Sequence, residues 1–215
     1  MQEKKERHSP SSGLTSFQAI GKRSFDLLFA TAGFGLTVWI MLPAVLLAAV
    51  DTRSGGLFTQ KRVGRGGKIF NIMKIRTMRH NPAIETSVTT ENDSRITPLG
   101  KFLRRAKIDE LPQLINIIRG DMSFVGPRPD VPGFADRLDG KDRIILSVRP
   151  GITGPATLKY RHEESLLAGV DEPERYNREV IFPDKVRINR SYVENWSFSG
   201  DMRYLLRTVF PFLLP

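Results

Sequence analysis

Asp109 and Glu110 are adjacent carboxylates, and Arg104, Arg105 and Lys107 come just before them. A carboxylate is a poor base but a workable nucleophile at phosphorus, once cations or a metal offset the phosphate charge. Leu111, Leu114, Ile115, Ile117 and Ile118 follow at helical spacing, and Gly120 is a suitable stop. This pattern predicts a helix with Asp109 as N-cap and Pro112 in the first turn. Two carboxylates at the positive end of a helix, with cations beside them, mark a place that holds an anion. From the residues alone a plain N-cap, worth ~1 kcal/mol, is the simpler account of Asp109.

Other cations stand where the chain can aim them. Thr97 and Pro98 open a helix that carries Arg104, the hydroxyl as N-cap and the proline at N1. Phe58–Val63 and Lys68–Thr77 read as strands around Gly64–Gly67, a hairpin turn rather than a phosphate loop. In the second strand Phe70, Ile72, Lys74 and Arg76 share a face, so an apolar stripe ends in two cations. Pro127 and Pro129 fix the backbone on either side of Arg128, which suits a rigid guanidinium for phosphate or planar recognition. Arg149 leads the turn-rich stretch Arg149–Pro155, which contains Thr153. Ala135–Ser147 and Lys185–Asn195 read as helices, and Arg161–Glu179 as a charged stretch broken near Gly169 and Pro173.

The chain has 215 residues, no cysteine and a formal net charge of +10. Disulfides, thiolate chemistry and Cys-type zinc sites are excluded, and His8, His80 and His162 form no ligand spacing. The charge calls for an acidic partner: nucleic acid, an anionic membrane or a phosphorylated substrate. No recognition motif or aromatic stacking platform supports nucleic acid.

Residues 1–20 read as a polar tail with a short helix near Phe17–Ile20. Leu27–Val50 is an apolar run long enough to cross a ~30 Å hydrocarbon core. Lys22 and Arg23 precede it, and Arg53, Lys61, Arg62 and Arg65 follow it. A simple spanning helix has one basic flank, on the cytoplasmic side. Two readings fit: a helix that kinks near Pro43 and returns to the same face, or a single-pass helix kinked by proline. The basic, apolar stretch Asp201–Leu214 fits either a membrane interface or core packing.

Together these segments resemble the bacterial sugar transferase family, the small monotopic polyprenyl-phosphate phosphoglycosyl transferases. The likeness lies in Phe58-x-Gln60-x-Arg62-x-Gly64, Phe70-x-Ile72-x-Lys74-x-Arg76-Thr77-Met78, Leu99-Gly100-x-Phe102-Leu103-Arg104 and Asp109-Glu110-Leu111-Pro112-Gln113. It continues in Gly120-Asp121-Met122-Ser123-Phe124-Val125-Gly126-Pro127-Arg128-Pro129, in Arg149-Pro150-Gly151-Ile152-Thr153-Gly154, and in Tyr192–Ser197 with Asp201.

The resemblance implies an α+β fold, mostly helical with a small β-hairpin or sheet. It implies a polar tail over 1–20, a re-entrant membrane helix over 21–52 and a cytosolic catalytic domain over 53–215, on the cytoplasmic face of the bacterial inner membrane. The implied reaction moves a sugar-1-phosphate from a UDP-sugar to undecaprenyl phosphate, with UMP as product, at the start of a glycan pathway. Asp109 is the implied nucleophile, through a phosphosugar–aspartate intermediate. Glu110 works with Mg²⁺, so that Asp109 and Glu110 are the implied metal ligands. Arg104 is the implied phosphate binder, and Pro127, Arg128 and Pro129 are tied to the nucleotide. Lys74, Arg76, Arg149 and Thr153 complete the expected substrate contacts. Membrane lipids are expected partners, and a homodimer stays open. The alternative is a non-catalytic, membrane-anchored scaffold for anionic lipid or a partner. Leu42-Pro43 stands where the family often has Ser-Pro. Pro155–Arg161 replaces a Trp and an Asn-Gly-Arg-Asn segment common after the Gly-Ile-Thr-Gly turn, which leaves the donor sugar open.

Overall fold

Thr15 starts the first helix. Its hydroxyl accepts from Gln18 N, and the Gln18 side chain accepts in return from Thr15 N, a reciprocal cap. The helix that follows, α1 (Ser16–Thr52), runs through Pro43 and ends at Arg53 in a left-handed conformation. In this computed structural model residues 13–81, 89–90 and 93–210 are described. Residues 16–20 therefore belong to the long helix rather than to a polar tail; residues 1–12 lie outside the described set.

The remaining strands and α-helices among the described residues are β1 (Leu57–Val63), β2 (Ile69–Ile75), α2 (Pro98–Arg105), α3 (Gln113–Arg119), β3 (Ser123–Val125), β4 (Gly151–Thr153), α4 (Pro155–Lys159), α5 (Glu163–Ala168), α6 (Pro173–Tyr176), α7 (Phe182–Glu194) and α8 (Phe198–Val209), with a π-helical segment, Asn177–Ile181, between α6 and α7. The fold is mostly helical with two small sheets. β1 and β2 form the expected antiparallel hairpin, in register from Leu57 opposite Ile75 to Val63 opposite Ile69. β3 and β4 pair in parallel, Ser123 with Gly151 and Val125 with Thr153. A methyl on Gly151 would stand 2.2 Å from Gly126 N, so the two segments meet this closely only without side chains.

Two expectations change. Ala135–Ser147 is not an α-helix but two 3₁₀ segments, Ala135–Arg137 and Gly140–Ser147, separated by an extended turn at Leu138–Asp139. α7 begins at Phe182, three residues before the predicted start. The expected tail helix is α8, and its part beyond Phe210 lies outside the described residues.

α1 belongs to the core. Its buried residues are Lys22, Asp26, Ala30, Met41, Ala44, Ala48 and Thr52, a stripe at helical spacing. Ala30 packs in one cluster with Ile72, Leu114, Ile117 and Met122, while Met41, Ala44 and Ala48 pack in another with Ile75 and Leu103. A third cluster holds Val63, Val125, Ile144–Leu146, Val186 and Val193. The helix is largely inside-out: apart from Met41 its buried residues are small or polar, while Leu36, Trp39, Leu46 and Val50 are exposed. Both ends touch the same body. Lys22 bonds Asp201, and Asp26 accepts from Ser123 Oγ and Phe124 N, each at 3.1 Å. At the other end Arg76 N donates to Gly56 O at 2.8 Å, and Arg79 Nε to Asp51 O at 3.3 Å.

Candidate active site

α2 is built as the sequence predicts, with Thr97 Oγ1 accepting from Gly100 N at 2.9 Å and Pro98 in the first turn. After Ala106 the chain turns sharply at Lys107, whose φ of 57° is left-handed for a residue with a Cβ. Such a conformation costs about 1–2 kcal/mol and persists only where the surroundings impose it. Its consequence is a short 3₁₀ turn, Ile108–Glu110, that drives the Asp109 side chain inward.

Asp109 is therefore not the N-cap of α3. That helix starts at Gln113 with Pro112 in the cap position, and no side chain caps it. The Asp109 side chain is buried, and its Oδ1 has no hydrogen-bond partner. Burial raises the carboxyl above its usual range, Glu110 adds to this, and Lys74, Lys107 and Arg104 oppose it. Capping thus does not account for Asp109, and a buried, unpartnered carboxylate needs another account.

Glu110 is held differently. Lys74 Nζ lies 3.2 Å and Arg128 Nη2 3.1 Å from its Oε1. Burial works to raise this carboxyl, but Arg128 and Lys74 hold it well below the usual range. Lys74 reaches it from β2, and its own affinity for a proton is lowered by burial against the pull of Glu110. Asn116 of α3 fixes that geometry. Its Oδ1 accepts from Met73 N at 3.0 Å and its Nδ2 donates to Asn71 O at 2.8 Å, which stitches α3 to β2 beside Lys74.

Arg128 is placed by its neighbours. Pro127 O accepts from Gly151 N at 2.9 Å, Pro129 O from Arg62 Nη1 at 3.1 Å, and Asp130 O from Val63 N at 2.9 Å. The loop is thus tied to β4 on one side and to β1 on the other. Asp130 itself is pushed up to about 6 by burial, which outweighs Lys185 and Arg62. Arg104 is near enough for its charge to act on Asp109, and its guanidinium pairs with Glu164 of α5.

Three expected substrate contacts lie elsewhere. Arg76 Nε donates to Gly55 O at 2.6 Å and Nη2 to Leu57 O at 3.3 Å, so it fastens the turn after α1. Past the end of β2 it lies within reach of those carbonyls. Arg149 Nε donates to Gly120 O at 2.8 Å, while Arg23 donates to Ile117 O and Ile118 O. Two cations thus close the negative end of α3. Thr153 Oγ1 lies 2.6 Å from Thr208 Oγ1 and ties β4 to α8. Asp109, Glu110, Lys74, Arg128 and Arg104 remain together.

The bacterial sugar transferase family profile matches residues 17–214. The chain belongs to the bacterial sugar transferase family. Membership makes it an enzyme, a transferase of the phosphoglycosyl type. It is 34% identical over 192 residues to the UDP-glucose:undecaprenyl-phosphate glucose-1-phosphate transferase of Caulobacter vibrioides, covering 87% of this chain and 68% of the relative. The exopolysaccharide production protein ExoY of Rhizobium meliloti is 34% identical over 208 residues, covering 88% of this chain and 84% of the relative. The UDP-N-acetylgalactosamine-undecaprenyl-phosphate N-acetylgalactosaminephosphotransferase of Aeromonas hydrophila is 31% identical over 192 residues, covering 87% of this chain and 42% of that longer relative.

In this sugar transferase, among the described residues, no group of three or more His, Cys, Asp or Glu side chains forms a metal cage. Mg²⁺ needs none, since it binds through one or two carboxylates, phosphate oxygens and water. The bare Oδ1 of Asp109 beside Glu110 is an oxygen donor set of that kind. Sequence reasoning missed Asn116, Asp130, Glu163 and Glu164 as neighbours of the site. Only Asn116 left a signal: a polar residue amid Leu114, Ile115, Ile117 and Ile118.

Proposed function

We propose that this sugar transferase moves a sugar-1-phosphate from a UDP-sugar to undecaprenyl phosphate, with Asp109 as nucleophile. The observation that carries the reading is the Asp109 carboxylate, buried beside a neutralised Glu110 and engaged in no cap. One oxygen of its carboxylate attacks the phosphorus that bears the sugar. The bond from that phosphorus to the UMP oxygen breaks, and UMP leaves. An oxygen of the lipid phosphate then attacks the same phosphorus, and the Asp109 carboxylate is restored. Splitting the transfer lets two anionic substrates use one pocket in turn.

Lys74 and Arg128 neutralise Glu110, so that Asp109 does not face a bare like charge. Arg104 and Lys107 supply positive charge near the phosphates. Mg²⁺ held by Asp109 and Glu110 would offset the diphosphate charge and polarise its oxygens. The donor class and the acceptor follow the names of the Caulobacter and Aeromonas relatives.

In this reading α1 is a re-entrant membrane helix and the chain sits on the cytoplasmic face of the inner membrane. The helix is long and apolar enough to cross a bilayer, yet both its ends bond the same domain. Its bulky outward residues, and exposed Leu206 and Val209 of α8 with Phe210 just after that helix, are apolar surface that suits lipid.

The test is a panel of UDP-sugars with Mg²⁺, read as UMP release and as the mass of the intact chain. The expected result is a sugar-phosphate adduct on Asp109 with one donor, and loss of both signals in Asp109→Asn. Turnover that persists in Asp109→Asn overturns the nucleophile assignment.

A further inference from the structure

Three of the cations that act on the carboxylate pair rest on glutamates, and a fourth cation, Lys185, holds a glutamate beside them. Lys74 and Arg128 share Glu110, Lys185 holds both oxygens of Glu163 at 2.6 and 2.8 Å, and Arg104 pairs with Glu164. The three glutamates are not equally held. The side chain of Glu110 is 13% exposed and that of Glu163 25%, but that of Glu164 is 46% exposed. An ion pair open to water is weakly held and is exchanged readily for a better anion. A diphosphate is such an anion, since it offers an Arg fork two oxygens and more charge than one carboxylate.

The surroundings make the exchange local. Leu167, 2% exposed, anchors α5, and the Glu163–Lys185 pair fixes its first turn to α7. Glu164 alone has to swing away. Arg104 sits in the last turn of α2, five residues before Asp109, and its charge reaches that carboxylate. A phosphate bound to Arg104 is thereby brought towards the nucleophile.

We propose that Glu164 is a positioning residue that occupies the donor phosphate's seat on Arg104 until the donor displaces it. The proposal rests on the donor reading above for the identity of the anion. Glu164 thus keeps the guanidinium extended over the site when no donor is bound, and lowers donor affinity by having to be displaced.

The experiment is equilibrium binding of UDP, and separately of inorganic pyrophosphate, to the full-length chain in detergent. The variants are Glu164→Gln, Arg104→Gln, the double variant and Glu174→Gln, which makes the same charge change on α6. Glu164→Gln is expected to bind both anions about two- to fivefold tighter, as loss of a competing exposed pair allows. The gain is expected to vanish in the Arg104→Gln background and to be absent in Glu174→Gln. Unchanged or weaker binding in Glu164→Gln overturns the proposal, as does an equal gain in Glu174→Gln or without Arg104. If pyrophosphate follows the expected pattern while UDP binds no variant, the exchange stands and the UDP-sugar reading falls. If neither anion binds any variant, both fall.

Discussion

The Asp201 carboxylate of α8 rests on the Lys22 ammonium of α1, and the two side chains are buried together. Tyr192 OH and Trp196 Nε1 donate to the same carboxylate at 2.8 and 3.0 Å. The cluster joins the first turns of the chain's apolar helix to its last helix. Lys22→Met leaves a buried carboxylate with neutral donors only, which is expected to cost about 3 kcal/mol. Adding Asp201→Asn is expected to recover part of that loss, because the uncompensated charge is gone. Thermal unfolding in detergent measures both, and equal stability of the wild type and Lys22→Met refutes the coupling.

The cations divide into two classes with different outcomes. Arg128 pairs with Glu110 inside the site, so Arg128→Met is expected to lower UMP release about a hundredfold, the usual scale for one lost electrostatic contact. Arg149 and Arg76 donate only to backbone carbonyls. Arg149→Met and Arg76→Met are expected to lower stability by about 1 kcal/mol while UMP release stays within a few-fold. A hundredfold loss in Arg149→Met at unchanged stability returns that residue to the substrate contacts.

Why sequence separated these cations poorly is physical. Thr97, Pro98 and Gly120 act on their own backbone within a few residues, so their type and spacing identify a helix start and a helix stop. The hairpin β1–β2 is equally local. Arg128 was legible because prolines fix its backbone on both sides. The end point of Arg149 depends on Gly120, twenty-nine positions away, and on Arg23 near the N-terminus. The parallel pairing of β3 with β4 is likewise non-local, and it places Arg128 opposite the carboxylates. Asp109 and Glu110 stood out from their neighbours, but the left-handed turn at Lys107 that turns Asp109 away from the cap was not visible.

Asp130 carries a dependence on pH. Its carboxyl is pushed up to about 6 by burial, against ~3.9 unfolded. The folded chain therefore binds this proton more tightly. The stability that this group contributes is fully present below about pH 4 and is lost as pH rises through about 6. Asp130→Asn cannot ionise. Relative to the wild type it is expected to gain about 2 kcal/mol between pH 4 and pH 7, read from denaturant unfolding at each pH. A stability difference that stays constant across that range refutes the buried-acid assignment.

The inside-out pattern of α1 makes opposite predictions for its two faces. Ala48 is 1% exposed and packs with Met41, Ala44, Ile75 and Leu103, so Ala48→Leu adds volume where none is free. Overpacking of this kind costs about 1–3 kcal/mol and is expected to lower the unfolding temperature even in detergent. Trp39 and Leu46 are 75% and 69% exposed on the outer face. Trp39→Lys with Leu46→Lys removes apolar surface that is mostly uncovered in the folded chain. The double variant is expected to unfold at the wild-type temperature but to shift from vesicles to the soluble fraction, because the transfer of those side chains into lipid is lost. If the double lysine variant is destabilised and stays on vesicles, the outward face packs against protein and the inside-out assignment fails.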